Sequence, residues 1–183
     1  MLIKHSIPMQ RKNVVKDGLV LWLEGEDFTN SPPTSLLRDR SGNGNNATTI
    51  GMNYTVSSGS DNNGGIVLDG TDDKLTIPYS SLMKLGSGDF TIIASTSINT
   101  LNTFQVIMSR RLIISVNTEY IFAFENGKNN IEFRYSTDGT TINTLKFYFL
   151  PVLGVVYDIC LRRLGNNLYL FINGVQHTTI NTI

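Results

Sequence analysis

The stretch Val155 to Val175, VVYDICLRRLGNNLYLFINGV, decides the fold. Val155, Tyr157, Ile159 and Leu161 alternate with Val156, Asp158, Cys160 and Arg162, the period-two pattern of a strand with one face turned to a core. Gly165-Asn166 then turns the chain into Leu168-Tyr169-Leu170-Phe171-Ile172, and Asn173-Gly174 turns it again. Gly and Asn tolerate the positive φ that tight hairpins require, so the run predicts successive antiparallel strands.

Working outward, the same punctuation recurs. Phe90, Ile92 and Ala94 share one face of a strand expected from about Asp89 to Ser97, and Phe104 to Ser109, Leu112 to Val116 and Tyr120 to Glu125 follow at close spacing. Asn126-Gly127 is the strongest two-residue hairpin signal, because a type I′ turn needs positive φ at both positions. It leads into Ile131, Phe133 and Tyr135, alternating with Asn130, Glu132 and Arg134, and Asp138-Gly139 marks the next turn. Nearer the start, Leu19-Val20-Leu21-Trp22-Leu23 is apolar on both faces and reads as a buried strand. Residues 24 to 65 read as loop with short strands, and Ile66 to Leu68 and Leu75 to Ile77 read as a hairpin around Asp69-Gly70-Thr71-Asp72-Asp73. Many short strands with turn signals between them predict an all-β antiparallel sandwich or barrel over residues 17 to 183, after a flexible polar tail at 1 to 16.

A chain of 183 residues is long enough to bury about 70% of its unfolded surface in one core. Only 16% of residues are charged and the net charge is zero, so the surface must be covered by neutral polar groups. That excludes nucleic acid as the expected partner, since phosphates call for clustered Lys and Arg. The doublets Arg110-Arg111 and Arg162-Arg163 lie inside strand-like runs and read as solvated faces. The lone Cys160 excludes an internal disulfide and any Cys-based metal site. No apolar run reaches membrane-spanning length, and the first residues carry no secretory-signal pattern. The sequons Asn46-Ala47-Thr48 and Asn53-Tyr54-Thr55 therefore carry little weight.

Three segments in order, Gly18-Leu19-Val20-Leu21-Trp22-Leu23, Asp39-Arg40-Ser41-Gly42-Asn43-Gly44-Asn45-Asn46-Ala47 and Gly64-Gly65-Ile66-Val67-Leu68-Asp69-Gly70-Thr71-Asp72-Asp73-Lys74-Leu75-Thr76-Ile77-Pro78, closely resemble the first half of the laminin-G-like modules of the concanavalin A-like superfamily. Asp89-Phe90-Thr91-Ile92 and the hairpin Cys160 to Val175 are similar to that family's later strands. The resemblance spans about 17 to 179 and implies a jelly-roll sandwich. It also implies binding of glycans, surface polymers or other structural subunits, as in phage tail fibres, baseplates and bacterial surface proteins.

The chain departs from the family pattern in two ways. Trp22 is the only Trp, which leaves Tyr54, Tyr79 and Tyr148 as the candidates for stacking on a sugar ring. No closing strands follow Asn173-Gly174-Val175 as they do in the family, so Thr178 to Ile183 is expected to be frayed or paired in trans, with an open edge beside Leu19 to Leu23. The resemblance further implies a possible calcium, for which Glu24, Asp69, Asp72 and Asp73 offer carboxylate oxygens suited to a hard cation. A glycosidase reading finds only Glu24 and Glu26 at the i, i+2 spacing of paired carboxylates on a strand face, and His5 and His177 assemble no nucleophile–base pair. The expected function is a non-catalytic module for glycan or surface recognition. The alternatives are an assembly element completed by another subunit and a degenerate glycosidase.

Overall fold

A computed structural model describes residues 2–3, 15–111 and 118–181. Among them the apolar runs form fourteen strands, joined by Gly-, Asn- and Asp-rich turns, with helical geometry limited to 3-10 turns at Gly25–Asp27 and Ser81–Met83. The chain divides into two compact units, Met1–Met83 with Ser95–Ser97, and Lys84–Ala94 with Ile98–Ile183.

The first unit holds six short strands: β1 (Leu2–Ile3), β2 (Leu36–Leu37), β3 (Ala47–Ile50), β4 (Gly59–Ser60), β5 (Ile66–Val67) and β6 (Lys74–Thr76). They form two three-stranded antiparallel sheets, β1-β5-β4 and β2-β3-β6. Phe28, Leu37, Ala47, Met52 and Ile66 make the buried core, with Leu23, Tyr54, Leu68, Leu75 and Ile77 packed against it. The hairpin expected across residues 66 to 77 does not form. Its arms pair in different sheets, β5 with β1 and β4, and β6 with β3, so the Asp-rich turn is a crossing between sheets. Leu19 to Leu23 is not a strand either. The tail expected at 1 to 16 falls largely outside the described residues, but Leu2–Ile3 pairs with Ile66–Val67.

The second unit is an antiparallel β-sandwich. β7 (Phe90–Thr96), β8 (Gln105–Arg111), β9 (Thr118–Phe124), β10 (Asn130–Tyr135), β11 (Asn143–Tyr148), β12 (Tyr157–Leu164), β13 (Asn167–Ile172) and β14 (Val175–Asn181) form two four-stranded sheets, β11-β10-β9-β8 and β14-β13-β12-β7. Phe122, Phe124, Ile131, Phe133 and Phe147 from the first sheet meet Ile92, Ile159, Leu161, Leu168 and Leu170 from the second in one core. Alternation explains this, because Ile159 and Leu161 lie directly across from Ile172 and Leu170 and share their face.

The turns distribute differently from the expectation. Asn173 and Gly174 have φ of 52° and 78°, and Ile172 pairs directly with Val175, so the two-residue type I′ turn is here. At Asn126-Gly127 only Gly127 has positive φ, at 62°, and Glu125 N–H bonds the Asn130 carbonyl, which makes a longer loop. The Gly127 N–H is drawn out to the Leu101 carbonyl at 2.6 Å, a tertiary bond that the local signal could not report.

Two further expectations are corrected. Thr178 to Asn181 form the end of β14 within the chain itself. They pair with Leu170, Tyr169, Leu168 and Asn167 of β13, while residues 182 and 183 lie outside the described set. Arg163 and Arg110 are not solvated: Arg163 is 6% exposed and bonds the Gly165 carbonyl through Nε at 2.8 Å, and the Arg110 side chain is 11% exposed and pairs with Glu119 at 2.6 Å. The strand expected at Leu112 to Val116 lies outside the described residues.

Candidate functional site

Residues 19 to 22 are held by side chains instead of a strand ladder. Asp39 Oδ1 accepts the N–H groups of Trp22 at 3.0 Å and Ser41 at 2.9 Å, and Oδ2 accepts the Asn45 N–H at 2.9 Å and the Ser41 hydroxyl at 2.8 Å. The Val20 carbonyl takes Ser41 Oγ at 3.1 Å and Asn45 Nδ2 at 2.9 Å, and the Leu19 carbonyl takes Asn43 Nδ2 at 2.8 Å. The motif around Asp39 thus does for this segment what a neighbouring strand would have done. Burial alone would push the Asp39 carboxyl up, but donors from Ser41, Trp22 and Asn45 outweigh it and hold the carboxyl below its ordinary value.

The depressed folded value means that this stabilisation is present above the unfolded pKa and is lost as pH falls through the folded one. Asp39→Ala should therefore lower stability by about 2 kcal/mol near neutral pH, since hydrogen bonds to a charged group are worth about 1.5–3 kcal/mol. The loss should shrink below about pH 4, where the carboxylate of the unfolded chain begins to protonate, and vanish as pH falls through the lower folded value. Urea midpoints at pH 7 and pH 3 check both the size and the sign.

Around this clamp the acidic residues are individually engaged. Glu24 Oε1 accepts the Trp22 indole N–H at 2.6 Å, and Asp27 takes a two-pronged contact from Arg40 at 2.7 and 2.5 Å. The Asp27 hydrogen bond also holds the Arg40 guanidinium above its ordinary pKa, against the effect of burial. Glu26 lies in the 3-10 turn Gly25–Asp27, with Glu24 as its N-cap, so Glu24 and Glu26 do not share a strand face.

Of the four carboxylates expected around a cation, the structure brings three together. Asp69, Asp72 and Asp73 each place an oxygen within 4.8 Å of the others, and Glu24 is not among them. Two of the carboxylates serve the turn itself: Asp73 Oδ2 accepts the Asp69 N–H at 2.9 Å, and Asp69 Oδ1 accepts the Thr71 N–H at 2.8 Å. Asp73 Oδ1 is buried without a hydrogen-bond partner among the described residues. It is the best-placed oxygen for a hard cation here, although three side-chain donors fall short of the six to eight that calcium takes.

The aromatic candidates separate by environment. Tyr54 stacks one face of its ring on Phe28, with ring centroids 6.0 Å apart, and packs half-buried against the first core. Tyr79 and Tyr148 are exposed, at 69% and 66%. Tyr79 belongs to the first unit, and Tyr148 ends β11 in the second, where its carbonyl lies 2.8 Å from His177 Nε2. Burial pushes the Cys160 thiol up, with Arg162 pulling weakly the other way, which leaves little nucleophilic thiolate at neutral pH.

Sequence reading did not single out a cleft of about 570 Å3 in the first unit, lined by Glu26, Phe28, Thr29, Asn30, Ser31, Ser60, Asn62 and Gly64. Its size falls within the range of small-molecule sites. The walls come from residues 26 to 31 and 60 to 64, which are distant in sequence, and only the density of Asn, Ser and Gly in both segments hinted at it. Asn30 ties the walls like a second peptide group, accepting the Ser60 N–H at 2.8 Å through Oδ1 and donating to the Ser60 carbonyl at 2.7 Å through Nδ2. Close approach completes the tie: a Cβ on Gly25 would lie 2.4 Å from the Gly64 carbonyl oxygen, and one on Gly59 would lie 2.4 Å from Asn30 Oδ1.

No protein-family model and no curated protein matches the chain. Among solved structures it is similar to part of an S-layer domain-containing protein from Clostridium thermocellum ATCC 27405, with 23% identity and a TM-score of 0.55, over 88% of this chain and 72% of that one. At that identity the likeness shows the fold. No helix among the described residues is long and apolar enough to cross a membrane.

Proposed function

We propose that this chain is a non-catalytic recognition module of the concanavalin A-like, laminin-G-like kind that binds glycan or another surface polymer. The observation that carries the reading is the likeness to an S-layer domain-containing protein, which favours a place at a cell surface over the phage tail that the sequence resemblance also allows. Composition supports it. A neutral chain with 16% charged residues presents amides and hydroxyls, the groups that pair with sugar hydroxyls without the desolvation penalty of a dense charge layer.

The test is retention of the purified chain on insoluble cell-wall polysaccharide and peptidoglycan, followed by elution with soluble glycan. Specific retention is the expected result. A chain that passes through every matrix at low and moderate salt would remove the recognition reading.

A further inference from the structure

We propose that one side of the second unit, where β11 and β14 end their sheets, is a self-association surface through which two copies of this chain pair about a twofold axis. This does not depend on the glycan reading above. Three observations lead there.

The first is a segment that is apolar on both faces. From Phe147 to Val152 the chain alternates strictly: Phe147, Phe149 and Pro151 are buried, and Tyr148, Leu150 and Val152 are exposed. A strand with one solvated face usually carries polar residues there, whereas one covered on both sides is apolar throughout. Leu153 and Val155 extend the outward set. Val175 is brought alongside by its own hairpin, since the Asn173 N–H bonds the Asp158 carbonyl and the His177 ring packs edge-on against Phe149 at 5.7 Å. These six exposed side chains range from 43% to 71% exposure. Together they offer on the order of 500 Å2 of apolar surface, at the upper end of what a monomer shows and enough for the centre of an interface that needs about 800 Å2 from each partner.

The second is that the display is fixed. The Phe149 N–H bonds the Asn129 carbonyl at 2.9 Å, the Val152 N–H bonds the Tyr157 hydroxyl at 3.1 Å, and the Gly154 N–H bonds the Ile98 carbonyl at 2.9 Å. Little ordering cost is left for association.

The third is charge, which selects the occupant. β11 and β14 are each the last strand of their sheet, and His177 Nε2 joins them at the Tyr148 carbonyl, 2.8 Å away. Edge strands are usually blunted by charged side chains, Lys above all. β14 has no Lys, Arg, Asp or Glu, nor has the chain from Phe147 to Tyr157. Of the lysines beside this surface, Lys146 pairs with Glu125 and Lys128 acts on the same carboxylate. A lipid surface calls for Lys and Arg around the apolar residues, and a charged peptide calls for an opposite charge; these segments supply neither. A copy of the same patch needs neither, and a chain of net charge zero meets its copy without long-range repulsion.

The experiment is sedimentation equilibrium of the full chain from about 5 to 500 µM, the range of weak to moderate dimers, with hydrogen exchange measured at both ends. The expected result is a reversible rise from 20.3 kDa to twice that mass, with exchange slowed at high concentration in residues 148 to 155 and 175 to 177. Leu150→Glu and Leu153→Glu should each weaken pairing at least about a hundredfold, because the twofold axis brings two uncompensated carboxylates into one apolar contact. Val56→Glu, at an exposed position of the first unit, should leave the dimer intact. Equal urea midpoints at the lowest concentration would show the variants folded, and the exchange data decide the matter if they are not. A monomer at every concentration, slowing confined to other residues, or undiminished pairing in both folded Glu variants would overturn the proposal. Growth beyond the dimer would overturn the twofold arrangement. Binding of the monomer to neutral phosphatidylcholine vesicles, lost in Leu150→Glu, would give the surface to a membrane instead.

Discussion

Arg134→Met should destabilise the second unit by about 3–5 kcal/mol, the usual consequence of removing one partner from a buried ion pair. Glu132 sits on β10 with its side chain 0% exposed, on the sheet face opposite Ile131 and Phe133, and Arg134 Nε lies 2.5 Å from its Oε1. Glu132 Oε2 has no hydrogen-bond partner among the described residues, so without Arg134 the carboxylate would be buried and uncompensated. The guanidinium also lies 4.8 Å from the Phe104 ring centroid, but such a contact is worth about 0.5–1 kcal/mol at a partly exposed site and cannot account for the larger loss. The double variant Glu132→Gln/Arg134→Met separates the two terms. It should recover most of the loss, because a neutral amide tolerates burial far better than a charge. Urea unfolding of the four proteins gives the coupling directly, and additive effects would show that solvent already reaches Glu132.

Phe133→Ala should cost about 3–5 kcal/mol through lost burial and the cavity left behind. Phe133 is 2% exposed and lies 5.7 Å from Phe90, 6.4 Å from Tyr120 and 6.0 Å from Tyr135 between ring centroids. Phe90 belongs to β7, in the sheet opposite β10, so Phe133 bridges the two layers and its removal loosens both. Tyr79→Ala is the internal comparison. At 69% exposure Tyr79 has little burial to lose, and its change should stay within about 0.5 kcal/mol. The measurement is the urea midpoint at constant denaturant slope. Equal shifts for the two variants would contradict the two-layer core.

The second unit was legible in the sequence because its strands are amphipathic. Ile131 and Phe133 against Glu132 and Arg134, and Ile159 and Leu161 against Cys160 and Arg162, announce their faces, and alternation survives into the fold because a strand's period is fixed by its backbone. The first unit was less legible. Leu19 to Leu23 is as apolar as a strand, yet its Leu19 and Val20 carbonyls are taken by side chains of Ser41, Asn43 and Asn45, and its Trp22 carbonyl by the Arg40 N–H. In the sequence those residues show turn propensity but not their partners. Asn126-Gly127 and Asn173-Gly174 carry the same dipeptide and adopt different turns: the Gly127 N–H goes to the Leu101 carbonyl, whereas Asn173 bonds Asp158 through its own N–H and its side-chain oxygen.

The candidate sites follow the same division. Asp69, Asp72 and Asp73 lie within one turn and were expected together, and they are together. Glu24 shares only their chemistry, and its carboxylate accepts the Trp22 indole N–H instead. Tyr54 was a stacking candidate by residue type, but Phe28, far off in the chain, takes one face of its ring.

By itself the sequence determined the all-β class, the antiparallel pairing of the later strands, the residues facing the sandwich core and the neutral character of the surface. These are properties of composition and of short-range periodicity. Only the tertiary structure decided which arms share a sheet, that Glu132 and Arg163 are buried and Arg110 half-buried, and that residues 26 to 31 and 60 to 64 meet as a cleft. Each of these depends on contacts between segments far apart in the chain. Their energies come from packing and hydrogen-bond partners that no local pattern encodes.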